Sequence, residues 1–176
     1  IDGNNMGRRL MGIMQDKDDY KSAVLTMRTV SRNINCCFND AYESMKIHIK
    51  GLSNKPVRKI VLAGDDITFV CNALVAMEAV KVFLKSVTAQ TMYNDSEDRI
   101  SNLRKYGFSA CAGIAYFNSH FPFSDAYKVA EACVSSAKKK AKDENCKDGD
   151  HIGSFVDYQI CSTIMAADLD SYREKH

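Results

Sequence analysis

Two adjacent aspartates, Asp65 and Asp66, stand between two short apolar runs in IVLAGDDITFV (60–70). Gly64 with Asp65 already supplies what a tight turn needs, so the second carboxylate is surplus to the turn and repels the first. The flanking runs are β-branched and nearly continuous in apolar character, the pattern of strands covered on both faces. Such a pair at a hairpin tip is easiest to understand if a cation sits there. A third carboxylate opens the chain. In IDGNNMGRRL (1–10), a strand end carrying Asp2 is followed by a turn and a helix start. The backbone N–H groups of Asn4, Asn5, Met6 and Gly7 would then point outward at a helix N-terminus, ready for phosphate oxygens. The same stretch also reads as a plain capped helix start.

If the strand ending at Asp2 lies beside the hairpin, Asp2, Asp65 and Asp66 converge. Oxygen-rich sites select magnesium or manganese. A carboxylate cluster beside a phosphate-cradling turn is the equipment of two-metal phosphoryl or nucleotidyl transfer. The stretch SSAKKKAK (135–142) adds cations at the end of a helix. Lysines there favour the helix dipole and solvate the surface. Lys138 and Lys142, four apart, share one face and could also reach the outer phosphates of a nucleotide. Lys139 and Lys140 point elsewhere.

These residues must be positioned by the elements around them. Apolar residues three and four apart predict a long helix over 17–50, stopped by GLSNKP (51–56). Strands at 57–63 and 67–71 form the hairpin, and helical spacing returns over 74–90. The polar segment 93–105 reads as a surface excursion. FSACAGIAYF (108–117) is a strand whose small residues allow close backbone approach. Pro122 opens a helix over 123–142, residues 148–160 give a turn and a last strand, and the tail from Ser162 is a short helical piece. The class is α+β, an antiparallel sheet with its hairpin covered by helices. Ile1 and Asp2 look like the end of a strand, so a segment preceding Ile1 is expected to complete it, and residues 1–176 read as one domain cut from a longer polypeptide.

At 176 residues, 45% hydrophobic and 26% charged, the chain can bury a real core. No apolar run is long enough to span a bilayer, so no membrane partner is expected. A net charge of +2 says little by itself about a polyanionic partner, but no strongly basic face interleaved with aromatics is there to track a nucleic-acid strand. Seven cysteines lie mostly inside apolar runs without CxxC spacing, which points to free buried thiols in a reducing, cytoplasmic compartment. Four scattered histidines form no metal-ligand pattern.

The ordered set IDGNNMG, IVLAGDDITFV, FSACAGIAYFNSHFPFSDAYKVAEACVSSAKKKAK and HIGSFVDYQ resembles the polymerase-like palm domain of the large subunit of type III CRISPR complexes. It is similar also to the stand-alone minimal CRISPR polymerases and, more distantly, to GGDEF diguanylate cyclases. The resemblance covers essentially the whole chain. It implies a ferredoxin-like palm that binds nucleoside triphosphates through two divalent metals and makes cyclic nucleotides. The implied metal ligands are Asp2, Asp65 and Asp66, with the carbonyl of Gly3 as a further donor. Asp65 and Asp66 are the implied catalytic pair, and Lys138 is the lysine of the late-helix motif. Gly64, Asn4, Asn5, Met6, Gly7, Lys138 and Lys142 would contact the nucleotide. Two departures bear on this. The usual glycine pair is Ala63–Gly64, which narrows the room above the hairpin. The positions that read guanine in the cyclases hold Leu10 and Met11, so ATP is favoured by default. Two nucleotides must meet, so a homodimer or a partner palm is expected, with nucleic acid only indirectly involved through a larger complex. A degenerate palm kept for nucleotide binding or structure is the alternative.

Overall fold

The computed structural model describes residues 1–15, 19–54, 56–92, 108–144 and 153–161. The elements run β1 (Asp2–Gly3), α1 (Met6–Gln15), α2 (Tyr20–Leu52), β2 (Arg58–Ala63), β3 (Asp66–Val70), a 3₁₀ turn (Ala73–Val75), α3 (Ala76–Met92), β4 (Ala110–Tyr116), α4 (Phe123–Glu144) and β5 (Val156–Ile160). The surface excursion expected at 93–105, the turn at 148–152 and the helical tail from Ser162 lie outside the described residues.

The first long helix begins later than its apolar spacing suggests, because Asp19 is a cap. Its side chain accepts a hydrogen bond from the Ser22 N–H at 3.1 Å, and helix α2 starts behind it. Val30, Ile34, Phe38, Ala41, Met45 and Ile49 form the buried stripe of α2, three and four residues apart. That stripe packs on α3, with the Phe38 and Phe83 rings edge to face at 5.7 Å.

The five strands form one sheet in the order β2-β3-β1-β4-β5. The hairpin is antiparallel, and β1 runs antiparallel to both β3 and β4. The ladder carries on to Ile1, whose carbonyl accepts from the Ile67 N–H and whose amino nitrogen donates to the Ile67 carbonyl, both at 2.9 Å. The expected all-antiparallel sheet is corrected at its far edge. There β5 pairs parallel with β4, and α4 is the crossover that a parallel pair requires. The fold is α+β, a helix-covered palm of the ferredoxin-like kind with a mixed sheet.

Successive residues of β4 point to opposite faces, and both faces are covered. Ala110, Ala112 and Ile114 join the core built with α2 and α3, whereas Cys111 packs with Ala137 and Ala141 of α4. Gly113 lies against the α4 backbone, where an added Cβ would stand 2.6 Å from the amide nitrogen of Val134. The hairpin is less covered than its apolar run predicts. On β2, at the sheet edge, Ile60 and Val61 remain 45% and 40% exposed. Apolar character alone does not distinguish a covered strand from an edge strand. Cys37, Cys111, Cys133 and Cys161 are buried, Cys71 is half-buried and Cys36 exposed, all as free thiols. Among the described residues, no helix is long and apolar enough to cross a membrane.

Candidate functional site

The shortest strand holds the centre of the sheet. Through β1, Asp2 stands opposite Asp66 of β3 on one side and Cys111 of β4 on the other. The turn between β2 and β3 closes over it. Gly64 takes the left-handed conformation (φ 63°) that lets the chain reverse there, and the Gly3 N–H donates to the Asp65 carbonyl at 3.1 Å. The Asp65 side chain then lies over the α-carbon of Gly3. A Cβ at Gly3 would meet Asp65 Oδ2 at 2.7 Å and the Met6 side chain at 2.9 Å. A side chain at position 3 would therefore have to displace the carboxylate and the Met6 tip from where they lie. Asp2 of the central strand thus stands across from Asp66 of the neighbouring hairpin, with the Asp65 side chain beside Gly3.

Their electrostatics are partly compensated. Lys138, from the last third of α4, reaches Asp2 with Nζ 2.6 Å from Oδ2. Burial is the main cause that holds the Asp65 carboxyl above its ordinary range. A hydrogen bond from its own N–H and the Lys138 charge pull the other way, while Asp2 and Asp66 add to the upward push. Lys142, one helical turn further on, is exposed and forms no ion pair with the three carboxylates among the described residues.

The turn after β1 departs from expectation at one residue. Asn4 is buried and not a phosphate ligand: its N–H donates to the Ser109 carbonyl at 2.8 Å. Its side-chain Nδ2 donates to Ser109 Oγ and to the Gly153 carbonyl, each at 3.1 Å. A buried amide is satisfied where partners stand, and here they stand inside the protein. Asn5 is left-handed (φ 54°), which asparagine tolerates better than most side chains, and it aims the chain into α1. Met6 buries its side chain in the core, with its tip beside Gly3. Gly7 is exposed, with open space where a Cβ would be. The donors left for an anion are the N–H groups that open α1, from Met6 onward. Ser109 and Gly153 were not singled out from the sequence. Ser109 offered one signal, as a polar residue at the mouth of an otherwise apolar strand.

In type, three carboxylates with a carbonyl beside them fit a hard divalent cation. In arrangement, no three His, Cys, Asp or Glu side chains among the described residues form a ready metal-holding group. Asp2 is engaged by Lys138, which supplies part of the charge compensation itself.

No curated protein matches the chain. Residues 1–148 match the family described as Cas10/Cmr2, second palm domain. That span takes in Asp2, the Gly64–Asp65–Asp66 turn and Lys138, together with the whole βα frame that assembles them. The chain is thus a member of the Cas10/Cmr2 second palm domain family.

Proposed function

We propose that this palm is a metal-dependent nucleotidyltransferase that joins ATP into cyclic nucleotides with release of pyrophosphate, a signalling activity within CRISPR-type antiviral defence. The observation that carries the reading is the meeting of Asp2, Asp65 and Asp66 at the sheet centre, with Lys138 reaching in from α4. Asp65 and Asp66 would hold magnesium or manganese, two ions per site, with Asp2 and the Gly3 carbonyl as further donors. The bound ions would supply Lewis-acid activation of a ribose hydroxyl and charge neutralisation on the triphosphate.

The chain's own groups have distinct tasks. Gly64, having no side chain, leaves the hairpin tip open to a triphosphate. The N–H groups opening α1 orient phosphate oxygens. Lys138 can exchange Asp2 for the outer phosphates, carrying positive charge to the leaving group. Lys142 on the same helix face extends that positive surface. The second nucleotide is presented by another palm, in a homodimer or from a partner domain, and nucleic acid acts only through the larger complex. Free cysteines throughout the described residues suit a reducing cytoplasm.

The alternative, a palm retained for nucleotide binding or structure, is favoured by the engagement of Asp2 by Lys138. One experiment separates the two. Wild type and an Asp65→Asn/Asp66→Asn double variant are incubated with ATP and magnesium or manganese, with pyrophosphate and cyclic products measured. Thermal melts are recorded in parallel. The proposed enzyme forms product, and ATP with metal stabilises wild type by about 2–3 kcal/mol at a hundredfold excess over Kd. The variant gains much less and forms none. Stabilisation without pyrophosphate in wild type would establish the binding-only reading.

A further inference from the structure

Asn4 and Ser109 are each 4% exposed, an amide and a hydroxyl set among apolar core residues. A satisfied buried pair of this kind adds little net stability, and apolar side chains of the same shape would serve the core about as well. The position of the pair is more telling. Asn4 directly follows Asp2 and Gly3, and Asn5 after it turns the chain into α1 with a left-handed backbone (φ 54°). Asn4 is thus the last anchored residue between the central strand and the first N–H groups of α1.

Asn4 has three N–H donors, and all three are engaged on the β4–β5 side. Its backbone N–H donates to the Ser109 carbonyl at 2.8 Å, and Nδ2 donates to Ser109 Oγ and to the Gly153 carbonyl at 3.1 Å each. The Gly153 end is anchored in turn. The Ala110 N–H donates to Ser154 Oγ at 3.4 Å and the Ala112 N–H to the Phe155 carbonyl at 2.9 Å. The Gly3–Asn4 peptide is trans, so its carbonyl points opposite to its N–H. With that N–H held on the β4 side, the Gly3 carbonyl faces the other way, toward β3 and the hairpin. The Gly3 N–H marks the same side, because it donates to the Asp65 carbonyl at 3.1 Å.

We infer that Asn4 is a positioning residue: through Ser109 and Gly153 it aims the Gly3 carbonyl at the cation site beside Asp65 and Asp66, and sets where α1 begins. The inference rests on the proposed function, in which that carbonyl is a donor to the metal. A glycine has no side chain to fix the direction of its own carbonyl, so neighbours must impose it. Groups that orient a metal's ligands without touching the ion are worth about 10–100-fold in affinity. The amide suits this task where a carboxylate does not. An aspartate at position 4 has nearly the same shape but no N–H, so it would set an oxygen against the Gly153 carbonyl and push the turn off its anchor.

The test is Mn2+ binding to nucleotide-free protein, followed by the electron paramagnetic resonance of the free ion, with thermal melts and circular dichroism alongside. Asn4→Asp and Asn4→Ala should weaken binding at least about tenfold, and Ser109→Ala, which leaves the Gly153 acceptor in place, by less. Val87→Ala, a truncation in the core between α2 and α3, is the control: it should lower Tm and leave Mn2+ affinity unchanged. If neither Asn4 variant folds, Ser109→Ala decides, weakened binding supporting the role and unchanged binding overturning it. Asn4 variants that bind Mn2+ as wild type does, or a loss in Val87→Ala as large as theirs, would overturn the positioning role alone. Wild type that binds no Mn2+ would instead strike down the proposed metal site, and this assignment with it.

Discussion

Asp65 is the residue at which fold and function pull hardest against each other. Its folded-state pKa is raised, chiefly by burial, so between the ordinary 3.8 and that higher value the folded chain binds more protons than the unfolded chain. Stability is therefore fully present below 3.8 and falls as pH rises through the raised value. In chelator, Asp65→Asn should melt higher than wild type at pH 7, and the gain should vanish in melts below pH 3.8. An unchanged gap across pH would mean that the ionised carboxylate is not strained. Gly3 gives a complementary prediction, because its missing Cβ is the space the Asp65 carboxylate uses. Gly3→Ala should cost about 1–3 kcal/mol in thermal or denaturant unfolding. On the proposed function, it should also abolish pyrophosphate release, since the carboxylate must move. Lys138→Met should be nearly silent in the same unfolding assay, about 0–1 kcal/mol, because its pair with Asp2 is partly exposed. Its expected loss is in turnover.

Among the elements, the contact between α4 and β4 carries the most demand on sequence, because Gly113 is in contact range of the α4 backbone. Gly113→Ala should destabilise by about 1–3 kcal/mol or more, measured by urea unfolding, because the obstacle is backbone rather than a movable side chain. Much of this frame was legible beforehand. The two apolar runs about Gly64 gave the hairpin, Pro122 marked the start of α4, and Ile1–Asp2 read as a strand end, expected beside the hairpin because three acidic residues would then meet. Three features were not legible. The parallel pairing of β5 depends on where α4 returns the chain, which no local pattern encodes. The exposure of Ile60 and Val61 depends on strand order, not composition. Asn4 was expected to turn its backbone N–H outward at a helix start, yet that N–H and its side chain bond inward to Ser109 and Gly153, which lie in distant segments. Asp19 could have been read as a cap from its place before an apolar-periodic run.

For the molecule as a whole, the proposed chemistry needs two nucleotides, and so a second palm. Initial product formation by the isolated chain should rise more steeply than linearly with its own concentration, and sedimentation should show association over the same range. A linear dependence with a monomeric species would exclude the homodimer. The central placement of β1 has a consequence in time as well as space. Asp2 meets Asp66 across 64 residues (66 − 2) and Cys111 across 109 (111 − 2), whereas the hairpin and helices close over short spans. Closing such loops costs entropy before any contact returns it, so local elements form first and the chain's opening residues dock late. Refolding from urea should therefore recover helical circular dichroism ahead of metal-dependent nucleotide binding, with a measurable lag between them. The palm would be shaped before it is competent, and a nascent or damaged copy that has not seated β1 would be helical, compact and silent.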